Sequence, residues 1–136
     1  MNVTKVRYDG TRVHIEWTTG DPDKPDVYSL GCRQAPKQEF IKSLATLTPS
    51  VINICELPKD YIVGMTVCGV SFSKSRGAMG ATITALKTLN DSDVPLVLTT
   101  PHIPLAPGSE TWAALDEVLR QSELYVNGER AQGAMF

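Results

Sequence analysis

Alternating apolar and charged residues at the start of the chain predict a β-hairpin. The alternation runs through residues 5–8 and again through residues 12–17, with Asp9-Gly10 between the two runs. This dipeptide is favoured in type I′ turns, which join antiparallel strands. Alternation of this kind gives a strand one buried face and one exposed face. A third short strand is predicted at residues 27–32.

The spacing of apolar residues changes to a helical period after Ala35-Pro36. Residues 40–47 form a single apolar stripe, which predicts a middle helix that docks on the sheet. Thr48-Pro49 ends that helix and is predicted to begin another, with Thr48 as the N-cap and Pro49 in the first turn. The segment 51–57 is too short to distinguish a helix from a buried strand, and a helical turn is favoured.

Three further strands and a last helix are predicted in the second half of the chain. Residues 65–72 alternate regularly, and residues 80–89 fit a strand better than the rival helix because threonines recur at every second position. Residues 94–99 are predicted to form another strand, and Pro95, which cannot donate to a central ladder, restricts that strand to a sheet edge or itself to a strand start. The C-terminal amphipathic helix is predicted to begin at a Ser109 cap and to stop at Asn127-Gly128.

These elements predict an α+β fold. An antiparallel sheet of about five or six strands would carry the middle helix and the C-terminal helix on one face. The chain has 136 residues, a length that fits one domain. We therefore expect a single domain over residues 1–128 and a tail over residues 129–136 that carries a candidate linear motif.

Composition and charge narrow the function classes. The formal net charge is −2, with 13 basic and 15 acidic residues, so the whole chain has no electrostatic drive toward nucleic acid or membranes. No apolar run approaches the length of a membrane span, and the N-terminus lacks the apolar core of a signal peptide. We expect a cytoplasmic protein without membrane contact.

The sequence contains no recognisable catalytic or metal-binding motif. Cys32, Cys55 and Cys68 have no zinc or redox spacing and are expected to pack in the core. His14 falls on the polar face of the second strand, and His102 lies in a proline-rich loop without a second histidine nearby. We therefore expect a protein that is not an enzyme and that has no metal site and no cofactor.

Basic residues could contact phosphate groups at two places. Lys5, Arg7 and Arg12 share the polar face of the predicted hairpin, and Lys74 and Arg76 lie in a predicted loop between strands. A solvated sheet face and a solvated loop explain these charges without a ligand. Contact with nucleic acid or another phosphate group remains the alternative for all five residues.

The last five residues form a candidate linear motif. Gln132 is followed by the apolar pair Met135 and Phe136, and a few apolar anchors carry most of the affinity in such peptides. The segment Gln132-Gly133-Ala134-Met135-Phe136 resembles the bacterial sliding-clamp-binding pentapeptide. That resemblance implies that Gln132 enters a small pocket and that Met135 and Phe136 fill an apolar cleft on the clamp. The alternative is that Met135 and Phe136 fold back onto the domain.

A second resemblance extends along most of the chain. Segments at residues 26–30, 54–58, 69–73, 79–85 and 125–133 are similar to small phage and prophage proteins without an established activity. This resemblance implies an origin but no site residues.

Together the two resemblances predict a non-enzymatic phage accessory protein. It would bind the host DNA polymerase sliding clamp through its tail and act in DNA replication, recombination or host takeover. Two alternatives stay open, each with its own partner. The first is a counter-defence protein that sequesters a nucleotide signal or a host protein, and the second is a single-stranded DNA-binding protein. An oligomer is compatible with all three.

Overall fold

The computed structural model describes residues 1–75 and 77–131 of the chain, and it contains seven strands, three helices and one 3₁₀ turn. The predicted α+β fold is confirmed. The elements are β1 (Asn2–Tyr8), β2 (Val13–Thr19), β3 (Asp26–Cys32), α1 (Gln38–Ala45), α2 (Thr48–Ile54), the 3₁₀ turn (Lys59–Ile62), β4 (Met65–Ser75), β5 (Ala78–Leu89), β6 (Ser92–Thr99), β7 (Ile103–Pro104) and α3 (Glu110–Val126).

All seven strands belong to one antiparallel sheet with the order β3-β2-β1-β4-β5-β6. The two-residue strand β7 also pairs with β5, at Gly80 and Ala81, beyond the stretch of β5 that pairs with β6. Strand β6 carries Pro95 and lies at the edge of the sheet, as predicted, because an edge strand needs no donor on its outer side. Strands β1 and β4 are therefore the central pair.

The three helices cover one face of this sheet. Phe40 of α1 and Leu115 of α3 pack in one apolar core with Val6, Val70 and Ile83 of the central strands. Each of these five side chains is at most 2% exposed. Helix α3 begins as predicted, because the hydroxyl of Ser109 accepts a hydrogen bond from the backbone N–H of Trp112. Within residues 1–75 and 77–131, no helix lies on the opposite face of the sheet, and we call it the open face.

The loop between β1 and β2 differs from the predicted type I′ turn. It contains four residues, Asp9–Arg12, and only Gly10 has a positive φ, whereas a type I′ turn requires positive φ at both central residues. The carboxylate of Asp9 instead accepts hydrogen bonds from the backbone N–H groups of Thr11 and Arg12, at 2.8 and 2.7 Å. A side chain that satisfies the turn's own backbone explains the longer loop.

Strand β4 contains a bulge that its sequence pattern conceals. Val67 pairs with Ala85 and Gly69 pairs with Thr84, so Cys68 is an extra residue without a partner in β5. The buried side of the strand consequently changes from odd-numbered residues before the bulge to even-numbered residues after it. The regular alternation predicted for residues 65–72 is therefore wrong at Cys68.

Candidate functional site: the open face of the sheet

The polar residues of the central strands form two rows across the open face. In the first row, Lys5 of β1 is aligned with Glu16 of β2 and Ser71 of β4. In the second, Arg7 is aligned with His14 of β2 and Gly69 of β4. Residues aligned on neighbouring strands project from the same side of a sheet, and Val6, between Lys5 and Arg7, is buried on the other side. The cations of β1 thus lie at the centre of the open face.

Two glycines make room for the arginine side chains. A Cβ atom at Gly31 of β3 would lie 2.6 Å from the Nη2 atom of Arg12, so the guanidinium of Arg12 lies directly over this glycine. At Gly69 a Cβ atom would lie 3.3 Å from the Cγ atom of Arg7 and 3.1 Å from the carbonyl oxygen of Val6. Glycine within a strand is typical of such close approach. Both arginines therefore lie across neighbouring strands.

A concavity of about 450 Å³ opens at this end of the face, and we call it the basic concavity. It includes all three predicted cations of the hairpin. Its lining residues are Lys5, Arg7, Tyr8, Asp9, Arg12, His14, Cys68 and Leu86. Within residues 1–75 and 77–131, Lys5, Arg7 and Arg12 form no ion pair with an acidic side chain. Their charges are consequently available to a ligand.

The acidic groups near these cations have hydrogen-bond partners in the loop and in β2. Asp9 is the one carboxylate in the lining of the basic concavity, and its oxygen is held by the loop. The backbone hydrogen bonds from Arg12 and Thr11 keep the pKa of Asp9 below its usual value, and the charge of Arg12 adds to this effect. The Oε2 atom of Glu16 is in hydrogen-bond contact with the Nε2 atom of His14, at 2.8 Å on the same face. The concavity therefore keeps an excess of positive charge at neutral pH.

Cys68 lies at the edge of the basic concavity rather than in the core. Its thiol is half-buried, and its Sγ atom is 3.5 Å from the carbonyl oxygen of Thr84. Burial raises the pKa of this thiol, and the charge of Arg7 opposes that shift. The prediction of core packing is wrong for Cys68, because the bulge turns it out of the buried row. Cys32 and Cys55 do pack against the core.

The structure places Lys74, of the second predicted group of basic residues, away from the hairpin cations. Lys74 lies near the other end of β1, where it lines a separate concavity of about 360 Å³ with Met1, Thr18 and Pro25. Arg76 lies outside the described residues. Among the five basic residues predicted to contact phosphate, the structure therefore brings together three, Lys5, Arg7 and Arg12.

The described part of the predicted tail contacts the folded body. Glu129 forms an ion pair of 3.4 Å with Lys37, and the guanidinium of Arg130 lies 3.5 Å from the centre of the Tyr125 ring. The backbone N–H of Ala131 donates to the carbonyl of Ala35 at 2.9 Å. The motif residues Gln132, Met135 and Phe136 lie outside the described residues.

A second polar cluster surrounds Cys32 on the covered side. The Tyr125 hydroxyl donates to the carbonyl of Gln34 at 2.7 Å, and the backbone N–H of Gln34 lies 3.4 Å from the Cys32 sulfur. The Tyr125 hydroxyl is the main cause that lowers the pKa of Cys32, while burial raises the pKa of Tyr125. These contacts join the end of α3 to the end of β3, which gives the cluster a structural role.

Other classes of site find no support in the described residues. No group of three or more histidine, cysteine or acidic side chains among them is arranged to hold a metal ion. His102 has its Nε2 atom 3.1 Å from the carbonyl oxygen of Ser73 and packs over Gly80, as expected of a fixed loop. None of the described helices is long and apolar enough to span a membrane.

Comparison with known proteins gives no relative. No protein-family model, no curated protein and no solved structure matches this chain. The case for a function therefore depends on the site geometry.

Sequence reasoning did not identify several residues that shape the basic concavity. Tyr8, Cys68 and Leu86 line it, and Gly31 and Gly69 admit the arginines. The available signal was the pair of isolated glycines within strand patterns, which indicate a bulge or a close approach.

Proposed function

We propose that this chain is a non-enzymatic binding protein whose open face holds a small phosphate-bearing ligand. The observation that carries the proposal is the gathering of Lys5, Arg7 and Arg12 around one concavity without ion-pair partners among the described residues. The chain as a whole is slightly acidic, so this local excess of positive charge is a property of the site.

The chemistry of these side chains suits a phosphate group. A guanidinium presents several N–H donors in a planar fork that matches two phosphate oxygens, and two such groups extend over neighbouring strands here. Lys5 adds a compact charge in the adjacent row. Arg7 reaches the concavity from β1, and Arg12 reaches it from the loop between β1 and β2. This arrangement suits a ligand with several phosphate oxygens that can accept hydrogen bonds.

The distribution of aromatic rings favours a small ligand over single-stranded DNA. Proteins that hold single strands stack successive bases on aromatic side chains next to the basic groove. Tyr8 is the one aromatic residue in the lining of the basic concavity. Trp17 and Tyr28 stack on each other at 5.7 Å, but their strand positions place them on the side opposite to Lys5 and Arg7. Of the functions predicted from the sequence, sequestration of a phosphate-bearing signal fits this face better than strand binding.

Calorimetric titration with inorganic triphosphate tests the proposal. We expect the wild-type chain to bind it and the double variant R7A/R12A to lose at least about tenfold in affinity, with a weaker dependence on salt. Arg120→Ala is the matched control, because Arg120 lies on α3 and its one ion pair with a described residue is with Glu117. Equal affinities of wild type and R7A/R12A would contradict the proposal.

We also propose that the segment after Ala131 binds a bacterial sliding clamp, as its resemblance to the clamp-binding pentapeptide implies. One structural observation supports this second function. The ion pair of Glu129 and the backbone hydrogen bond of Ala131 fix the chain on the body directly before Gln132.

Clamp binding is measured for the full chain and for a chain that ends at Ala131. We expect the truncation to abolish binding, and the point variants of Gln132 and Phe136 to alanine to weaken it. R7A/R12A, which leaves the tail intact, should bind the clamp like the wild type. Equal clamp affinity of the full and truncated chains would contradict this function.

A further inference from the structure

A second cavity adjoins the basic concavity, and the described residues that line it include no cationic side chain. It has a volume of about 260 Å³, and we call it the apolar cleft. It lies between the hairpin loop, helix α1 and the start of β4. Its lining side chains are mostly apolar and include Ile41, Leu44, Ala45, Met65, Val67 and Leu86.

The two cavities meet at the bulge of β4. Tyr8, Asp9, Cys68 and Leu86 line both of them. Strand β1 pairs with β4 only from Lys5 to Arg7, because β1 then enters the loop and β4 bulges at Cys68. The end of β1 therefore separates from β4 at the point where the two cavities share their walls.

The lining of the apolar cleft comes from both faces of the sheet. Leu86 and Thr66 are aligned on the open face, whereas Met65 and Leu44 are buried on the covered face. The cleft thus leads from the cations toward the helices. Tyr8, whose ring packs edge-on against Phe40 with centroids 6.1 Å apart, forms an aromatic wall at the junction.

We infer that the two cavities together bind a nucleoside phosphate, with its phosphate on the basic concavity and its base in the apolar cleft. This inference rests on the proposed function, because it places the phosphate on the same three cations. Small-molecule sites combine an apolar lining with a few polar groups that fix orientation. A nucleotide has the matching division between a charged end and a flat, weakly polar ring, and the hydroxyls of Thr48 and Thr66 can contact the polar edge of the base.

Binding of the four nucleoside 5′-monophosphates is compared by calorimetry with binding of ribose 5-phosphate, which has the same phosphate without a base. We expect at least one nucleotide to bind about tenfold or more tightly than ribose 5-phosphate. Octyl phosphate is included because an alkyl chain would also fill an apolar cleft. If octyl phosphate binds more tightly than every nucleotide, or no nucleotide exceeds ribose 5-phosphate, the inference is wrong.

A variant whose new side chain fills the apolar cleft tests whether the base binds there. Ala45 is exposed at the end of α1 and lines the apolar cleft, so A45F should occupy the cleft at little cost to folding. We expect A45F to bind nucleotides no better than ribose 5-phosphate while its affinity for ribose 5-phosphate stays unchanged, which also shows that the variant is folded. Ala113 is likewise exposed, on α3, and A113F is the matched control that should behave as wild type.

The two failures are distinguishable. If the wild-type chain binds neither inorganic triphosphate nor ribose 5-phosphate, the proposed function itself is wrong. If it binds both through Arg7 and Arg12 but A45F and wild type bind nucleotides equally, only the placement of the base in the cleft is wrong.

Discussion

The two faces of the sheet in this protein are built from the same strands but differ in residue type and burial. On the covered face, successive inward residues such as Val6, Val70 and Ile83 are apolar and almost fully buried. On the open face, the residues between them are cations, hydroxyls and glycines. An uncovered sheet face needs only to be polar, yet this one concentrates positive charge on the central strand β1 and the loop that follows it, in a chain that is acidic overall. Solubility does not require that concentration, and the proposed ligand binding would explain it.

The largest expected effect is the difference in stability loss between substitutions on the two faces of one strand, β5. Ile83 is fully buried on the covered face, and its neighbour Thr84 lies on the open face. We expect Ile83→Ala to lower the free energy of unfolding by about 2–5 kcal/mol, because it leaves a cavity in the core. Thr84→Ala should change it by less than about 1 kcal/mol. Urea unfolding of both variants measures the difference, and similar losses would mean that the open face is also packed.

The cap of α3 provides a smaller test of the covered side. Ser109→Ala removes the acceptor for the Trp112 N–H, and we expect a loss of about 1 kcal/mol in the free energy of unfolding. Affinity for triphosphate should not change, since the cap lies on the helical side. A loss of affinity with unchanged stability would link α3 to the ligand and break the division between the faces.

The substitution Gly31→Ala tests ligand binding at the open face while all three cations are kept. The new methyl group would displace the guanidinium of Arg12, and we expect the affinity for inorganic triphosphate to fall by about threefold to tenfold, or up to roughly 1.4 kcal/mol. Stability should change little, because the displaced group is the free end of a flexible side chain. In the Arg12→Ala background the same glycine substitution should have no further effect on affinity. An equal effect in both backgrounds would show that Gly31 acts by another route.

The smallest expected effect concerns the pH dependence of the hairpin loop. Because the folded chain holds the pKa of Asp9 below its usual value, its contribution to stability is present above about pH 4 and is lost as the pH falls through the lower, folded-state pKa. Asp9→Ala should therefore be slightly less stable than wild type at pH 7, with a gap that narrows toward pH 3. Thermal unfolding at several pH values measures this, and a gap that widens in acid would contradict the assignment.

Much of the fold is predictable from the sequence because burial and local signals agree along it. The hairpin, the cap at Ser109 and the stop at Asn127-Gly128 each combine apolar spacing with a residue that favours the boundary. The bulge at Cys68 was not predictable in the same way. Apolar residues occupy both odd-numbered and even-numbered positions of β4 around Cys68. Alternation alone therefore does not reveal where the buried side changes.

The candidate site was predictable only as a set of charges. Lys5, Arg7 and Arg12 follow from alternation along the hairpin, but their meeting with Leu86 and Cys68 depends on the order of the sheet and on the bulge. Net charge was also a poor guide, because it averages the open face with the acidic remainder of the chain. The clamp-binding motif at Gln132, Met135 and Phe136 stays a prediction of the sequence alone.

Backbone amide chemical shifts during a titration with inorganic triphosphate test the central claim most directly. If the open face binds phosphate, the amides that shift will belong to residues 5–7, 12–14 and 69–71, and those of α3 will not move. Shifts confined to α3 would contradict the account. So would an absence of shifts at the triphosphate concentrations used for the calorimetric comparison of wild type and R7A/R12A.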